Sequence, residues 1–270
     1  MECIVKDLPV YYEEHGEGKP VLCLHGFAVD HRLVKGALEP VFEQESGYRR
    51  IYLDLPGMGQ TPRRDWIENA DVMLEVVKQF IAKVIGEESF LLVGNSYGGY
   101  LALGLASDPS LHIDGLFLMG PCVIADYTKR KLPVKGEAVI DPELKSMITS
   151  PADYENFLAM FVIATKENWH RFEVEILSGL RVADTFFLKG YRKRGYGFSF
   201  EDQLKELRFV KPICVLTGEW DDAVGYEDAW QLLKDLPQLT FVTLDGVGHN
   251  LHIENSEAFN LHLREWLRQI

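Results

Sequence analysis

The sequence predicts an α/β fold: a mostly parallel, eight-stranded sheet with helices on both faces and one inserted helical segment. Three observations lead there. Short apolar runs recur along the chain, and several are unbroken rather than alternating, as in strands covered on both sides. Segments with helical apolar spacing separate many of them, the alternation from which parallel sheets are built. Turns rich in glycine and proline follow the strands, at the edge where an open α/β sheet places its ligand site.

Glu2 to Asp7 and Val10 to Glu14 read as a hairpin turning at Leu8-Pro9, with a further turn from Glu14 to Gly18. Pro20 to Leu24 is a buried strand that ends in His25-Gly26-Phe27-Ala28. Val34 to Phe42 reads as a helix, and Arg49 to Leu53 as a strand running into Asp54-Leu55-Pro56-Gly57-Met58-Gly59. Within Ala70 to Ile85, Val72, Val76, Phe80 and Val84 recur at helical spacing, and Gly86 stops that helix. Phe90 to Val93, Ile113 to Met119, Pro212 to Thr217 and Leu239 to Leu244 are four more strands. Helices at Tyr226 to Leu236 and Glu257 to Leu267 follow the last two.

One segment breaks this rhythm. From about Cys122 to Lys205 there are helical patterns, notably Ala152 to Ala164 and Trp169 to Leu180, and no convincing apolar strand. Its charge differs as well: residues 121–205 hold 13 Lys and Arg against 12 Asp and Glu, a net +1, while the rest holds 15 against 29, a net −14. The expected division is a core of 1–121 and 206–270 carrying an inserted helical subdomain at 122–205.

A chain of 270 residues can bury a large core as one such domain. Its formal charge of −13 argues against nucleic-acid and anionic-membrane partners, both of which need basic surface. No apolar run approaches membrane-spanning length, and the N-terminus lacks a basic segment followed by an apolar stretch, so no secretory signal is visible. Cys3, Cys23, Cys122 and Cys214 are widely spaced with no C-x-x-C, which removes the usual zinc and redox spacings. Buried reduced thiols in a cytoplasmic protein, with no metal or cofactor, are the expectation. Oligomeric state is left open.

The chemistry is concentrated at Gly94-Asn95-Ser96-Tyr97-Gly98, a G-x-S-x-G lying between the strand Phe90 to Val93 and the helical run Leu101 to Ala106. A strand that turns into a helix within a few residues holds its apical residue in a strained conformation, and glycines on either side remove the Cβ atoms that would clash. The Ser96 hydroxyl is thereby presented at the head of a helix, where backbone N–H groups are unpaired. A serine nucleophile needs a base, and the base needs an orienting carboxylate. Gly246-Val247-Gly248-His249-Asn250 follows a strand and precedes the last helix, which singles out His249 among eight histidines. The carboxylate lies in Thr217-Gly218-Glu219-Trp220-Asp221-Asp222, where either aspartate could serve and spacing favours Asp221. The order Ser96, Asp221, His249, each at the C-terminal end of a strand, is a known triad order.

Taken together, these motifs resemble the α/β-hydrolase family, of the capped, single-domain kind. His25-Gly26-Phe27 resembles its oxyanion loop, Asp54 to Gly59 its D-x-P-G-x-G loop, and Gly94 to Gly98 its nucleophile elbow. Gly218 to Asp221 resembles its acid turn, and Gly248-His249 its catalytic G-H. The five come in family order from residue 20 to the end. The resemblance implies that 122–205 form a variable helical cap over the site. It also implies that the backbone N–H groups of Phe27 and Tyr97 form an oxyanion hole. The turn continues Val224-Gly225-Tyr226 where many relatives have a proline.

Other residues receive plainer readings. His25 is expected to brace its loop, Asp54 to support its own, and Asp222 to be solvated or turn-capping. His252 and Glu254 flank or cap the last helix. Phe27 and Trp220 are expected to wall a substrate pocket, and the runs Lys129-Arg130-Lys131 and Arg192-Lys193-Arg194 to be a solvated face. Serine at the elbow argues against haloalkane dehalogenases and epoxide hydrolases, relatives that place Asp there. The expected function is hydrolysis of a small acyl substrate, a carboxylic ester above all. The alternatives are a carbon–carbon hydrolase or cofactor-free lyase on the same triad, and a non-catalytic small-molecule receptor.

Overall fold

The computed structural model describes residues 1–134 and 136–270. Its centre is an eight-stranded sheet in the order β1-β2-β4-β3-β5-β6-β9-β10. These strands are β1 (Glu2–Val5), β2 (Leu8–His15), β3 (Lys19–Leu24), β4 (Tyr48–Leu53), β5 (Phe90–Asn95), β6 (Ile113–Met119), β9 (Ile213–Gly218) and β10 (Leu239–Leu244). Pairing is parallel from β4 through β10, with Leu92 of β5 opposite Leu22 on one side and Leu116 on the other. Only β2 runs against its neighbours.

Strand periodicity divides the core in two. One face of the sheet presents Leu22, Leu24, Leu92, Leu116 and Val215 to α2 (Ala70–Val84) and α3 (Tyr97–Ala106). The other presents Val21, Cys23, Leu91, Val93, Phe117 and Leu216 to α1 (His31–Phe42) and α11 (Ser256–Leu267). Because both faces are covered, the central strands read as unbroken apolar runs. Each fully buried Leu, Val or Phe contributes about 1.5–3 kcal/mol.

Between β6 and β9 the chain forms α4 (Leu144–Met147), α5 (Pro151–Met160), α6 (Lys166–Phe172), a π-helical stretch at Glu173–Leu177, α7 (Ser178–Val182) and α8 (Thr185–Gly195). Phe157, Phe161, Trp169, Phe172 and Ile176 of this insert join one core layer, and Phe187, Leu188, Tyr191, Tyr196 and Phe198 join the other. The insert therefore packs on both halves of the core. After β9 come α9 (Glu227–Leu233) and α10 (Leu251–Glu254), the latter just ahead of α11. Among the described residues no helix is long and apolar enough to cross a membrane.

Several sequence expectations need correction. The hairpin turns at Lys6-Asp7, with Lys6 at φ 55°, while Leu8 and Pro9 lie within β2 opposite Val5 and Ile4. Pro9 is tolerated because β2 pairs with β1 over its first half and with β4 only over its second, so one neighbour is bonded there. Helix α1 starts at His31 rather than Val34, because Asp30 caps it by accepting from the Arg32 N–H. The helix expected over 152–164 ends at Met160, and Ile163–Ala164 then forms a short strand, β8, parallel to β7 (Val139–Ile140). The insert thus contains a two-stranded ladder that its sequence did not announce. Helix α8 is likewise hard to read in sequence: its apolar positions Phe187, Leu188 and Tyr191 are diluted by a basic run at Arg192 to Arg194.

Candidate active site

At the end of β5 the chain reverses into α3 through Ser96, which sits at φ 50° and ψ −114°. Such a conformation costs a non-glycine residue about 1–3 kcal/mol and persists only where the surroundings enforce it. The glycines do so here: a Cβ on Gly98 would lie 2.2 Å from the Leu24 carbonyl oxygen, and one on Gly94 would lie 2.6 Å from that of Gly98. Ser96 N–H donates to the Met119 carbonyl, and the Ser96 carbonyl accepts from Tyr100 and Cys122, so the elbow is bonded on both sides.

The loop after β3 reaches the same point. A Cβ on Gly26 would lie 2.7 Å from Asn95 Oδ1 and 3.3 Å from Ser96 Cβ. His25 shapes this loop, with Nδ1–H donating to the Gly26 carbonyl at 2.7 Å and Nε2 accepting from Leu55 N–H at 2.9 Å. Burial depresses its pKa and both ring nitrogens are used, so it braces the loop as a neutral ring. Asp54 ties down the next loop, accepting from His31 N–H and Nδ1 through Oδ1 and from Gln60 N–H through Oδ2. Asp30, His31 and Asp54 also form, among the described residues, a cluster compact enough for a cation, but His31 and Asp54 are already bonded to each other.

His249 and Asp221 meet at the ends of the last two strands. Asp221 is fully buried, and its Oδ2 lies 2.7 Å from His249 Nδ1. Its Oδ1 accepts from the Ala223 and Val224 N–H groups at 2.9 and 3.0 Å, which locks the carboxylate plane. Burial pulls the His249 pKa down, but the charge and hydrogen bond of Asp221 outweigh it, so the net shift is upward. Gly120, at φ 48°, follows β6 and closes the gap: a Cβ there would lie 3.3 Å from both Asp221 Oδ2 and His249 Nδ1. The structure thus joins Asp221 to His249. No hydrogen bond from Ser96 Oγ to His249 is formed among the described residues.

Among the described residues neither of the two expected N–H donors has a hydrogen-bond acceptor. Tyr97 opens α3, so its N–H has no intrahelical acceptor. Among the described residues the Phe27 N–H is unpaired too. The ring of Phe27 is walled by the insert, with centroids 5.1 Å from Tyr196 and 6.2 Å from Tyr191, and the Tyr97 hydroxyl is bonded to that of Tyr191. Trp220 is placed differently: its ring is covered by the insert at Gly136, whose Cβ would lie 2.4 Å from it.

The sequence profile of the Alpha/beta hydrolase family matches residues 21–260. The chain belongs to that family. An alpha/beta superfamily hydrolase from Oenococcus oeni PSU-1 superposes with a TM-score of 0.89 at 32% identity, covering 96% of each chain. A pimeloyl-[acyl-carrier protein] methyl ester esterase of Legionella pneumophila (strain Paris) is 22% identical over 96% of this chain and 99% of its own. A 2-hydroxy-6-oxononadienedioate/2-hydroxy-6-oxononatrienedioate hydrolase of Paraburkholderia phymatum is 26% identical over 97% and 92%. Esterases and carbon–carbon hydrolases are thus both among the relatives of this α/β hydrolase.

Some side chains around these residues make contacts that sequence reasoning missed. Arg130 is no solvated residue: its guanidinium donates to the carbonyls of Ile124, Ala125 and Ala223, the last two residues beyond Asp221. Arg192 lies over the rings of Phe27 and Tyr196, with Cζ 5.5 and 5.6 Å from their centroids. His252, 1% exposed, was expected at the edge of the last helix. It is buried against Phe259, and among the described residues neither ring nitrogen has a partner.

Burial, then the nearby Arg171 and His249, push the His252 pKa well below the ordinary histidine value, so it stays neutral in the fold. The unfolded chain takes up this proton first as pH falls below about 6.5, so stability drops by up to about 1.4 kcal/mol per pH unit. Denaturation of His252→Leu should show a smaller stability loss between pH 7 and pH 5 than the parent protein does. An equal loss in both would assign the acid sensitivity elsewhere.

Proposed function

We propose that the protein is a serine hydrolase acting on a small acyl substrate, a carboxylic ester above all, through an acyl-enzyme on Ser96. In this reading residues 122–205 are a cap over the site. The observation that carries it is the Asp221–His249 pair at 2.7 Å, packed against Gly120, whose chain neighbour Met119 accepts through its carbonyl from the strained Ser96. With Nδ1–H held by Asp221, the lone pair of His249 is left on Nε2, the nitrogen that must take the Ser96 proton. Attack on the carbonyl then places negative charge on its oxygen, which the Phe27 and Tyr97 N–H groups stabilise. The imidazolium, supported by the Asp221 charge, returns the proton to the leaving group. A water activated by the same nitrogen releases the acid.

A second reading has its own support, the Paraburkholderia phymatum relative, whose named substrate contains no ester. Cleavage of a carbon–carbon bond beside a ketone is the hydrolysis such a molecule permits. Product analysis on a panel of nitrophenyl esters and a 2-hydroxy-6-oxo-dienoate separates the two. Turnover of esters alone favours the first reading, preferential cleavage of the diketone favours the second, and turnover of neither rejects both.

The cap bears on substrate choice. Arg192, itself exposed, lies over the Phe27 ring, while Arg194 sits against Gly190 in a groove on the far side of α8. A carboxylate on the substrate is attracted to the first and screened from the second. Arg192→Gln should raise KM for a carboxylate-bearing ester roughly tenfold, the loss of about 1.4 kcal/mol, and leave a neutral ester of equal size unchanged. Arg194→Gln should alter neither. Equal effects on both esters would remove Arg192 from substrate choice.

A further inference from the structure

Glu254 reads in sequence as a residue that flanks or caps the last helix, but its carboxylate turns back into the protein and only 9% of the residue is exposed. Oε2 accepts from the Gly248 N–H at 2.6 Å. Oε1 accepts from the N–H groups of Val162 and of Ile163, the latter at 2.8 Å. One carboxylate therefore holds three backbone donors from two segments that lie far apart in sequence. Hydrogen bonds to an ionised acceptor are about twice as strong as neutral ones.

The two segments are the turn between α5 and β8 in the cap and the loop that carries His249. Gly248 immediately precedes His249. Asn250 immediately follows it, and its Nδ2–H donates to the Met160 carbonyl at 2.9 Å. Both neighbours of His249 are thus bonded to residues 160–163, one through Glu254 and one directly. Glycine at 248 permits the approach, since a Cβ there would lie 3.0 Å from Val162 Cγ2 and 3.4 Å from Glu254 Oε2. The cap side is held in turn: Asn168 Nδ2–H donates to the Ile163 carbonyl, and Arg171 Nη1–H to the carbonyl of His252.

We propose that Glu254 is a positioning residue that fixes the His249 loop to the 160–163 turn of the cap, so that placement of the cap and presentation of the base are coupled. This rests on the reading of His249 as general base. A 1 Å displacement of a catalytic group costs up to about a hundredfold in rate, and Glu254 and Asn250 restrain the backbone on either side of the imidazole. Glu254→Gln replaces one acceptor by an NH₂ that faces an N–H, so one of the two attachments must open. With its carboxylate committed to three backbone donors, Glu254 offers a small ester no binding group, so KM should be unchanged.

A double-mutant cycle of Glu254→Gln with His249→Ala tests the proposal, read as kcat, KM and the rate of fluorophosphonate labelling, with thermal melts to confirm folding. The expected result is a roughly tenfold to hundredfold loss of kcat in Glu254→Gln, an unchanged KM, and no further loss once His249 is removed. A loss that multiplies with that of His249→Ala, or one carried by KM, would overturn the coupling. An inactive His249→Ala protein together with an unimpaired Glu254→Gln would overturn it too, and leave His249 as base intact. If His249→Ala keeps the parent rate, it is the reading of His249 that fails. Should Glu254→Gln not fold, Asn250→Ala enters the same cycle. It should cost several-fold in kcat only when His249 is present, and an equal cost in both backgrounds would reject the proposal.

Discussion

Ser96→Ala should reduce hydrolysis by about 10⁴ to 10⁶ in kcat while the protein stays folded and still binds substrate. The substitution deletes the attacking oxygen and nothing else that the fold uses. Alanine keeps the side chain small at φ 50°, and the glycines that permit the elbow remain. The backbone bonds of residue 96 to Met119, Tyr100 and Cys122 involve no side-chain atom. Steady-state kinetics on a nitrophenyl ester and a thermal melt check both halves of the expectation. A variant that turns over at near the parent rate would place the nucleophile elsewhere.

Asp221→Asn should cost about 10⁴ in kcat, less than His249→Ala, which removes the base itself. Oδ1 of Asp221 is already committed to the Ala223 and Val224 N–H groups, so an asparagine there would aim its NH₂ at His249 Nδ1. Imidazole then has to accept at Nδ1 and carry its proton on Nε2, the tautomer that cannot take a proton from Ser96. Asp222→Asn should cost little, because it is Asp221 that meets the imidazole. The pH profile carries the same logic. His249 must be neutral to act, and the Asp221 charge raises its pKa, so the acidic limb of kcat/KM should fall above the ordinary histidine value of about 6.5. In Asp221→Asn the residual rate should hold to lower pH, since burial alone lowers the value. A flat parent profile from pH 5 to 8 would count against His249 as base.

How much of this could be read from the chain depended on distance along it. The strands at Pro20 to Leu24, Phe90 to Val93 and Ile113 to Met119 announced themselves because double burial makes them continuous apolar runs. The elbow was legible for a local reason, as its glycines answer contacts made within a few residues and with the adjacent strand. The Lys6-Asp7 turn is not legible because Pro9 has the look of punctuation, while β2 merely exchanges β1 for β4 beyond it. The long-range links left no local trace. Glu254 meets Val162 across 92 positions, and its carboxylate looks like any helix-flanking acid until both segments are placed. Arg192 and Arg194 read as one basic run, yet helix α8 turns one over Phe27 and the other into a groove on its far side. Gly120 marks nothing more than the end of an apolar run in sequence, and the Asp221–His249 pair it lies against comes far later in the chain.

The most direct test of covalent catalysis by Ser96 is mass spectrometry of the protein quenched during turnover of a slowly deacylating nitrophenyl ester. The expected result is a mass gain of one acyl group, located on the peptide that carries Ser96 and absent from Ser96→Ala. An acyl group on any other residue, or turnover with no covalent species under conditions where a fluorophosphonate labels Ser96 fully, would contradict it.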